Sequence, residues 1–157
     1  MSTLNQEVIS KNLIFLDINL DNRKDIIQYI TEKAHEVGYI DNVECFINTV
    51  MNRENEISTA IGYSIAIPHG KCEYVTKPFI AFLRSDKSFV WDEDNSDETV
   101  SLVFLIGVPK ESAGKLHLKF ISELSKKLLN EDFRNNLYVK STITEIFEHL
   151  SSIEINK

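Results

Sequence analysis

Two strand-like segments in the middle of the chain constrain its fold more than any other feature. Phe79–Leu83 is apolar throughout, and the apolar run Leu102–Val108 lies inside a longer β-rich stretch that ends at Pro109. Strands without polar alternation are typical of a sheet that is buried on both faces. Amphipathic helical patterns precede and follow this block of strands. We therefore predict an α/β fold in which a central sheet carries helices on both faces.

The remaining elements are predicted from hydrophobic periodicity and from capping residues. Further strands are predicted at 13–16, 64–69 and 89–91. Helices are predicted over about 21–37, 41–54, 112–130, 131–137 and 141–150. Residues 1–12 are polar, and we expect them to be loosely ordered. One domain is therefore predicted over residues 1–157, with an ordered core at about 13–150.

Charge and apolar patterning exclude several classes of protein. With 17 basic and 24 acidic residues, the chain has a formal net charge of −7. Nucleic acids and anionic membrane surfaces are both bound by basic faces, which this balance argues against. The longest apolar run is too short to span a bilayer, and Met1–Lys11 lacks the pattern of a signal peptide. We expect a cytoplasmic protein that neither binds nucleic acid nor inserts into a membrane.

The segment Ser64–Gly70 is the strongest candidate for a functional site. Pro68 cannot donate a hydrogen bond to a neighbouring strand, so we predict that the strand stops there. His69 would then lie at the strand end, in a turn where Gly70 tolerates backbone angles that other residues avoid. An imidazole held at the rim of a buried scaffold favours a chemical role, although a turn that happens to contain a histidine has the same pattern.

Two further residues are candidates for the same site. At 100° per residue, His117 falls inside the apolar stripe of the helix predicted over 112–130. A core histidine with one hydrogen-bond partner fits that position, and so does a histidine that projects inward toward His69. Arg53 lies at the margin of its helical stripe, where it is either a surface residue or a fixed set of donors for a phosphate. The other two histidines are predicted to be solvated surface residues: His35 and His149.

Thiol and metal chemistry are weaker alternatives. Cys72 lies three residues after His69, which permits a Cys/His nucleophile pair or a zinc site that also includes His117. No orienting acid or oxyanion loop supports the pair, and the ligand spacing is poor for zinc. The acidic run 92–98 is predicted to be a solvated loop rather than a metal site. Cys45 and Cys72 have no disulfide or redox spacing, so we expect both thiols to be reduced, and we predict no metal.

Several motifs together point to a known family. The chain carries, in this order, Arg53-Glu54, Thr59–Gly62, Ile65–Gly70, Pro78–Phe82, Trp91-Asp92, Val103–Pro109, His117-Leu118, Ser122–Ser125 and Glu131–Arg134. This succession resembles the EIIA proteins of the bacterial phosphoenolpyruvate-dependent sugar phosphotransferase system, in their fructose/mannitol type. The resemblance covers residues 13–150, and its most specific part is the Pro-His segment with the Arg-Glu pair upstream.

The resemblance implies a fold and a reaction. The family fold is an α/β sandwich with a mixed sheet of about five strands. These proteins accept a phosphoryl group from phospho-HPr on a histidine, and they pass it to a cysteine of EIIB, which works with the membrane component EIIC. His69 matches the phosphorylated histidine, Arg53 matches the arginine beside it, and His117 matches an assisting histidine. The match implies a free-standing EIIA that needs no bound cofactor. It leaves open the sugar, the oligomeric state and the reacting ring nitrogen.

A second role within the same family is equally compatible with these residues. A regulatory EIIA is a binding module whose phosphorylation state controls other proteins, and it also keeps His69. The chemistry of imidazole suits either role, because a reference pKa of about 6.5 leaves the ring neutral and nucleophilic near pH 7. Phosphoryl transfer then requires mainly positioning and the stabilisation of charge on the phosphoryl oxygens.

Overall fold

The computed structural model describes residues 8–111 and 116–153, except for the side chains of Leu116 and His117. Within this part of the chain there are six strands and five helices. The strands are β1 (Ile9–Ile18), β2 (Ala60–Gly62), β3 (Ile65–Ala66), β4 (His69–Cys72), β5 (Phe79–Val90) and β6 (Thr99–Pro109). The helices are α1 (Arg23–Glu36), α2 (Val43–Glu56), α3 (Leu116–Leu128), α4 (Glu131–Val139) and α5 (Ile143–Ser151).

The six strands form one mixed sheet, which confirms the predicted α/β class. The strand order is β1-β5-β6-β3-β2, and β4 also pairs with β6. β5 and β6 are antiparallel, whereas β1 lies parallel to β5, and β3 and β4 lie parallel to β6. β6 is therefore the central strand, with β5 along one edge and the segment that carries His69 along the other.

The strand end predicted at Pro68 is only an interruption of the pairing with β6. β3 ends at Ala66, but the chain pairs with β6 again from His69 onward. Ala66 lies opposite Val103 and His69 lies opposite Ile106, so the register is the same on both sides of the interruption. Pro68 lacks an N–H donor, yet its carbonyl oxygen still accepts a hydrogen bond from the Ile106 N–H at 3.0 Å.

Two other strands are longer than predicted. β1 begins at Ile9 and not at residue 13, so residues 9–12 are not a loose terminus. β5 runs through the polar stretch 84–88 and joins the two strands predicted at 79–83 and 89–91, with a register irregularity between Arg84 and Phe89. Arg84 is tolerated there because it donates hydrogen bonds to Asp17 and to main-chain carbonyls at the end of α4, although it is only 7% exposed.

The first two helices begin and end near the predicted positions. The side chains of Asn22 and Asn42 accept hydrogen bonds from the backbone N–H groups of Asp25 and Cys45, as N-caps do. Gly38 follows α1 with φ of +90°, a conformation that stops the helix and favours glycine. Sequence capping signals were therefore sufficient to locate both helices.

Helices cover both faces of the sheet, as predicted. On one face, α1 and α2 bury the side chains of Ile26, Ile27, Ile30, Ala34, Phe46 and Val50. On the other face, α3, α4 and α5 bury those of Phe120, Leu124, Leu128, Phe133, Leu137, Ile146 and Leu150. The first residues of the helix predicted over 112–130, namely 112–115, lie outside the described residues. Among the helices described, none is both long enough and apolar enough to cross a bilayer.

A tight contact lies where α2 approaches the sheet. Gly107 of β6 is opposite Gly70 of β4, and a Cβ atom at Gly107 would be 2.4 Å from Cε2 of Phe79.

Because Phe79 is fully buried, we expect Gly107→Ala to lower the free energy of unfolding by about 1–3 kcal/mol. Urea denaturation measures this loss. Gly70→Ala is the matched variant and should lose less, since its nearest atom is 3.0 Å away, in Val50. Equal losses would contradict the steric explanation.

His149 is half-buried and not the solvated surface residue that was predicted. Its ring stacks on Phe133 at 4.1 Å, and Nε2–H donates to the Phe133 carbonyl at 3.0 Å. Burial lowers the pKa of His149, and the positive charges of Lys140 and Lys127 lower it further against the opposing effect of that hydrogen bond. His35, by contrast, is exposed as predicted.

The lowered pKa of His149 has a consequence for stability. The unfolded chain takes up a proton on this histidine at a higher pH than the folded chain does, so acidification favours unfolding. We expect the urea midpoint to fall as the pH is lowered from about 7.5 to about 5.5, and His149→Gln to show a smaller fall. A His35→Gln protein serves as the control and should follow the wild type. Identical slopes for all three proteins would contradict this assignment.

Candidate active site

His69 is the first residue of β4, and the main chain beside it orients its ring. The ring atom Nδ1 lies 3.0 Å from the carbonyl oxygen of Ile67. A carbonyl oxygen only accepts hydrogen bonds, so Nδ1 carries the proton and donates it. In the neutral ring the lone pair is then on Nε2, which is the nucleophilic nitrogen of this tautomer.

Close packing of α2 on β4 brings a second element to the histidine. A Cβ atom at Gly70 would lie 3.0 Å from Val50 and 3.3 Å from Phe46 and Thr49. Gly70 therefore leaves little room for a Cβ atom beneath α2, and the prediction that it serves an unusual turn conformation is wrong, because its φ is not in the left-handed region. Thr49 and Arg53 are one helical turn apart on α2, and both reach the neighbourhood of His69.

His69 opens into a cavity of about 450 Å³ between β4, α2 and α3. The described residues that line it are Thr49, Arg53, His69, Gly70, Lys71, Leu118 and Ile121. Two of them are cations, and none of these seven is a carboxylate. Although the chain as a whole is acidic, this cavity therefore favours an anion beside the imidazole.

Arg53 lies at this cavity, half-buried at the end of α2. Its Nη1 donates a hydrogen bond of 2.8 Å to the carbonyl oxygen of Ile57, the C-cap residue of the helix. This bond restrains a side chain that would otherwise be mobile, and a restrained guanidinium offers a fixed set of donors to a phosphoryl group. The structure thus brings two of the three predicted site residues, His69 and Arg53, to one cavity.

The third predicted residue, His117, lies in the first turn of α3, and its side chain is outside the described part of the structure. Leu118 in the same turn and Ile121 in the next turn of that helix contribute to the cavity wall. This face of α3 therefore borders the site, while the role predicted for His117 stays a prediction.

The residues of the alternative sites lie elsewhere or remain unassembled. Cys72 is 8% exposed and its sulfur accepts a hydrogen bond from the Tyr74 N–H at 3.5 Å; it is not among the residues that line the cavity. Cys45 and Cys72 are both free thiols. Within residues 8–111 and 116–153, no group of three or more histidine, cysteine or acidic side chains is arranged to hold a metal ion.

Lys71 is a site residue that the sequence analysis missed. In a strand, residues two apart point to the same face, so His69 and Lys71 share a face of β4. The error has a clear origin, because a chain predicted to leave the sheet at Pro68 has no such alternation. Had β4 been predicted, its pattern would have placed Lys71 beside the histidine.

The comparisons with known proteins agree with this fold. Residues 7–153 match the family described as phosphoenolpyruvate-dependent sugar phosphotransferase system, EIIA 2. The fructose-specific EIIA component of Haloferax volcanii is 34% identical over 125 residues, which are 80% of each chain. The fructose-specific EIIABC component of Bacillus subtilis is 34% identical over 131 residues, which are 83% of this chain but 20% of that protein.

A solved structure extends the likeness to the whole fold. The nitrogen regulatory protein IIA-Ntr of Neisseria meningitidis superposes with a TM-score of 0.82 at 27% identity, covering 94% of this chain and 99% of that one. The chain belongs to the EIIA family of the phosphoenolpyruvate-dependent sugar phosphotransferase system, in its fructose/mannitol type.

Proposed function

We propose that this protein is a phosphocarrier that accepts a phosphoryl group from phospho-HPr on His69 and passes it to a cysteine of EIIB. The observation that carries this proposal is the geometry of His69. Its Nδ1–H is bound to a main-chain carbonyl, and its ring borders a cavity that Arg53 and Lys71 make cationic. A nucleophile oriented next to fixed positive charge is the arrangement that phosphoryl transfer requires.

In the first step, the Nε2 lone pair of His69 attacks the phosphorus of the donor. The new N–P bond forms as the donor's bond to phosphorus breaks, and the leaving electron pair stays with the donor. In the second step, the thiolate of the EIIB cysteine attacks the same phosphorus and the electron pair returns to Nε2. Arg53 and Lys71 stabilise the negative charge on the phosphoryl oxygens in both steps.

His117 is proposed as the assisting group of this site. Its position in the first turn of α3 is next to Leu118, which lines the cavity. A histidine there has two possible actions: it donates a hydrogen bond to the phosphoryl group, or it supports the orientation of the His69 ring. His117→Gln keeps a similar length and one hydrogen bond but no titratable proton, so it separates these chemical roles from packing.

The family relatives support the proposed partners. The Bacillus relative is named as an EIIABC protein, which means that an EIIA region can occur in one chain with the B and C components. We propose that this chain serves EIIB and EIIC components in the same way, from the cytoplasm. The group that gives the phosphoryl group to His69 and the group that takes it from His69 then both belong to partner proteins. The proposed reaction therefore needs no bound cofactor or metal.

A regulatory role is the second candidate, and the likeness to a nitrogen regulatory IIA-Ntr protein favours it. Such a protein would accept the phosphoryl group on the same histidine and control other proteins through its phosphorylation state. Transfer to EIIB distinguishes the two roles. A phosphocarrier loses its phosphoryl group rapidly when a cognate EIIB is added, whereas a purely regulatory module retains it.

Incubation with phosphoenolpyruvate, EI and HPr, followed by mass spectrometry, tests the proposed function. We expect one phosphoryl group per chain, labile in acid and stable in alkali, as a phosphoramidate is. Omission of HPr is the control and should leave the chain unmodified. A chain that stays unmodified in the complete mixture would overturn the proposal.

Cys72→Ser tests the thiol alternative directly. Because Cys72 is buried and does not line the cavity, we expect the transfer rate to stay nearly unchanged. Single-turnover transfer from phospho-HPr is the measurement, and Cys45→Ser is the matched control. A loss of more than about tenfold, or roughly 1.4 kcal/mol of barrier, for Cys72→Ser alone would restore the cysteine mechanism.

A further inference from the structure

We propose that Glu54 is a positioning residue that holds the hydrogen-bond partners of both His69 and Arg53 in place. This inference rests on the proposed function, since it concerns the precision with which the same two side chains meet a phosphoryl group. Glu54 is next to Arg53 on α2, but it points into the protein and is 3% exposed. Burying a carboxylate costs free energy unless hydrogen-bond donors surround it. The donors around Glu54 therefore explain how this side chain can be buried.

Three hydrogen bonds and one ion pair, from three residues far apart in the sequence, converge on the Glu54 carboxylate. The Thr59 N–H donates to Oε1 at 3.2 Å, and the Thr59 hydroxyl donates to Oε2. Nε1–H of Trp91 donates to Oε1 at 3.0 Å, and Nη1 of Arg23 is 3.6 Å from the same oxygen. Glu54 thus joins the end of α2 to the start of α1, to the residue before β2 and to the residue after β5.

Thr59 connects this carboxylate to the nucleophile through two further hydrogen bonds. Its carbonyl oxygen accepts the N–H of Ile67 at 3.0 Å. The carbonyl oxygen of Ile67 in turn accepts Nδ1–H of His69 at 3.0 Å. The tautomer and the orientation of the His69 ring therefore depend on a peptide unit that is held in place by Thr59, and Thr59 is held by Glu54.

The same carboxylate also restrains the partner of Arg53. Nη1 of Arg53 donates to the carbonyl oxygen of Ile57, in the short connection between α2 and β2. Glu54 lies before this connection and Thr59 lies at its end, so the bonds between them fix its path. One buried side chain therefore positions two hydrogen-bond acceptors, the Ile67 carbonyl that binds His69 and the Ile57 carbonyl that binds Arg53. The rate constant of phosphoryl transfer depends on how precisely these two side chains are placed.

Three variants separate positioning from the mere stability of the core. Glu54→Ala removes all the bonds of the carboxylate. Glu54→Gln is nearly isosteric: its amide oxygen still accepts the Thr59 and Trp91 N–H groups, and its amide N–H donates to the Thr59 hydroxyl. Glu56→Gln is the matched control, because it removes an exposed negative charge two residues away on the same helix.

Two readouts are required. Nitrogen chemical shifts of the His69 ring report its tautomer without any transfer reaction. We expect Nδ1–H alone in wild type and Glu54→Gln, and a mixture in which the two nitrogen shifts converge in Glu54→Ala. Single-turnover transfer at saturating phospho-HPr should fall by roughly tenfold to one hundredfold in Glu54→Ala, with the concentration for half-saturation unchanged. Glu54→Gln should lose less than about threefold, and Glu56→Gln should match the wild type.

The outcomes distinguish this proposal from the function on which it rests. A wild-type chain that accepts no phosphoryl group overturns the proposed function, while the tautomer readout still tests Glu54. A folded Glu54→Ala protein that keeps only the Nδ1–H tautomer overturns the positioning role, whatever its melting temperature. If Glu54→Ala does not fold, Glu54→Leu removes the same hydrogen bonds while filling the space, and an unchanged His69 tautomer in that variant overturns the proposal.

Discussion

A His69→Ala protein takes up no phosphoryl group from phospho-HPr, and this is the largest effect that we expect from a single substitution. The proposed transfer uses the Nε2 lone pair of this ring, and the described residues around the cavity offer no second imidazole. Without the His69 ring, Arg53 and Lys71 still attract an anion, but the nucleophile that would accept the phosphoryl group is gone. The fold should survive, because the His69 side chain is only half-buried and does not belong to either apolar core.

Intact-mass spectrometry after incubation with phosphoenolpyruvate, EI and HPr measures this effect. His35→Ala is the matched control, since it removes an exposed histidine far along the chain from the site, and it should be modified as fully as the wild type. A His69→Ala protein that still gains one phosphoryl group per chain would show that another residue is the acceptor.

Arg53→Ala is expected to slow transfer by the second-largest factor. Removing one charged donor that acts on the phosphoryl oxygens should cost on the order of 2–4 kcal/mol of transition-state stabilisation, or roughly thirtyfold to one thousandfold in rate. The loss of packing should be small, because the side chain is half-buried and its only hydrogen bond among the described residues is to the Ile57 carbonyl. The melting temperature should therefore change little.

Single-turnover kinetics with phospho-HPr, at saturating and at limiting concentration, is the measurement for Arg53→Ala. Lys24→Ala is the control, because it removes an exposed positive charge from α1 and leaves the cavity intact. Arg53→Lys should fall between the two, since lysine keeps the charge but not the planar set of donors. A normal rate in Arg53→Ala would mean that Arg53 is only a surface residue.

The parts of the fold that local sequence determines were predicted well. Asn22 and Asn42 cap helices within one or two residues of the expected positions, and the apolar stripes of those helices face the sheet. The apolar strands were also recognised, because a strand buried on both faces has a distinctive composition. These features depend on neighbours in the chain, which sequence periodicity reports directly.

The parts that depend on distant pairing were not predicted. Nothing local shows that the chain returns to β6 after Pro68, because the bond that restores the register comes from Ile106. Nothing local shows that Arg84 can lie inside a strand, because its partners are Asp17 and carbonyls at the end of α4. At both positions the local sequence, a proline ring in one case and a polar stretch in the other, predicted that the strand would end. A hydrogen bond from a distant part of the chain keeps the segment in the sheet instead.

The candidate site divides in the same way. His69 was singled out by its position at a predicted strand end, and the family resemblance then added the role expected of Arg53; the structure places both at one cavity. Lys71 and Glu54 were missed because each depends on its surroundings: one on the alternation of an unpredicted strand, the other on burial against Thr59 and Trp91. A lone acidic residue at a helix end carries no sign in the sequence that it will be buried.

The unbroken register across Pro68 has a consequence for the order of events in a transfer cycle. Because His69 is fixed opposite Ile106 at one position on the sheet, a group attached to it is presented at the same point to every partner. Two proteins cannot occupy that point together, so the donor must leave before the acceptor arrives. The proposed cycle is then a two-stage exchange without a ternary complex, and initial rates measured against one partner at several concentrations of the other should give parallel reciprocal plots.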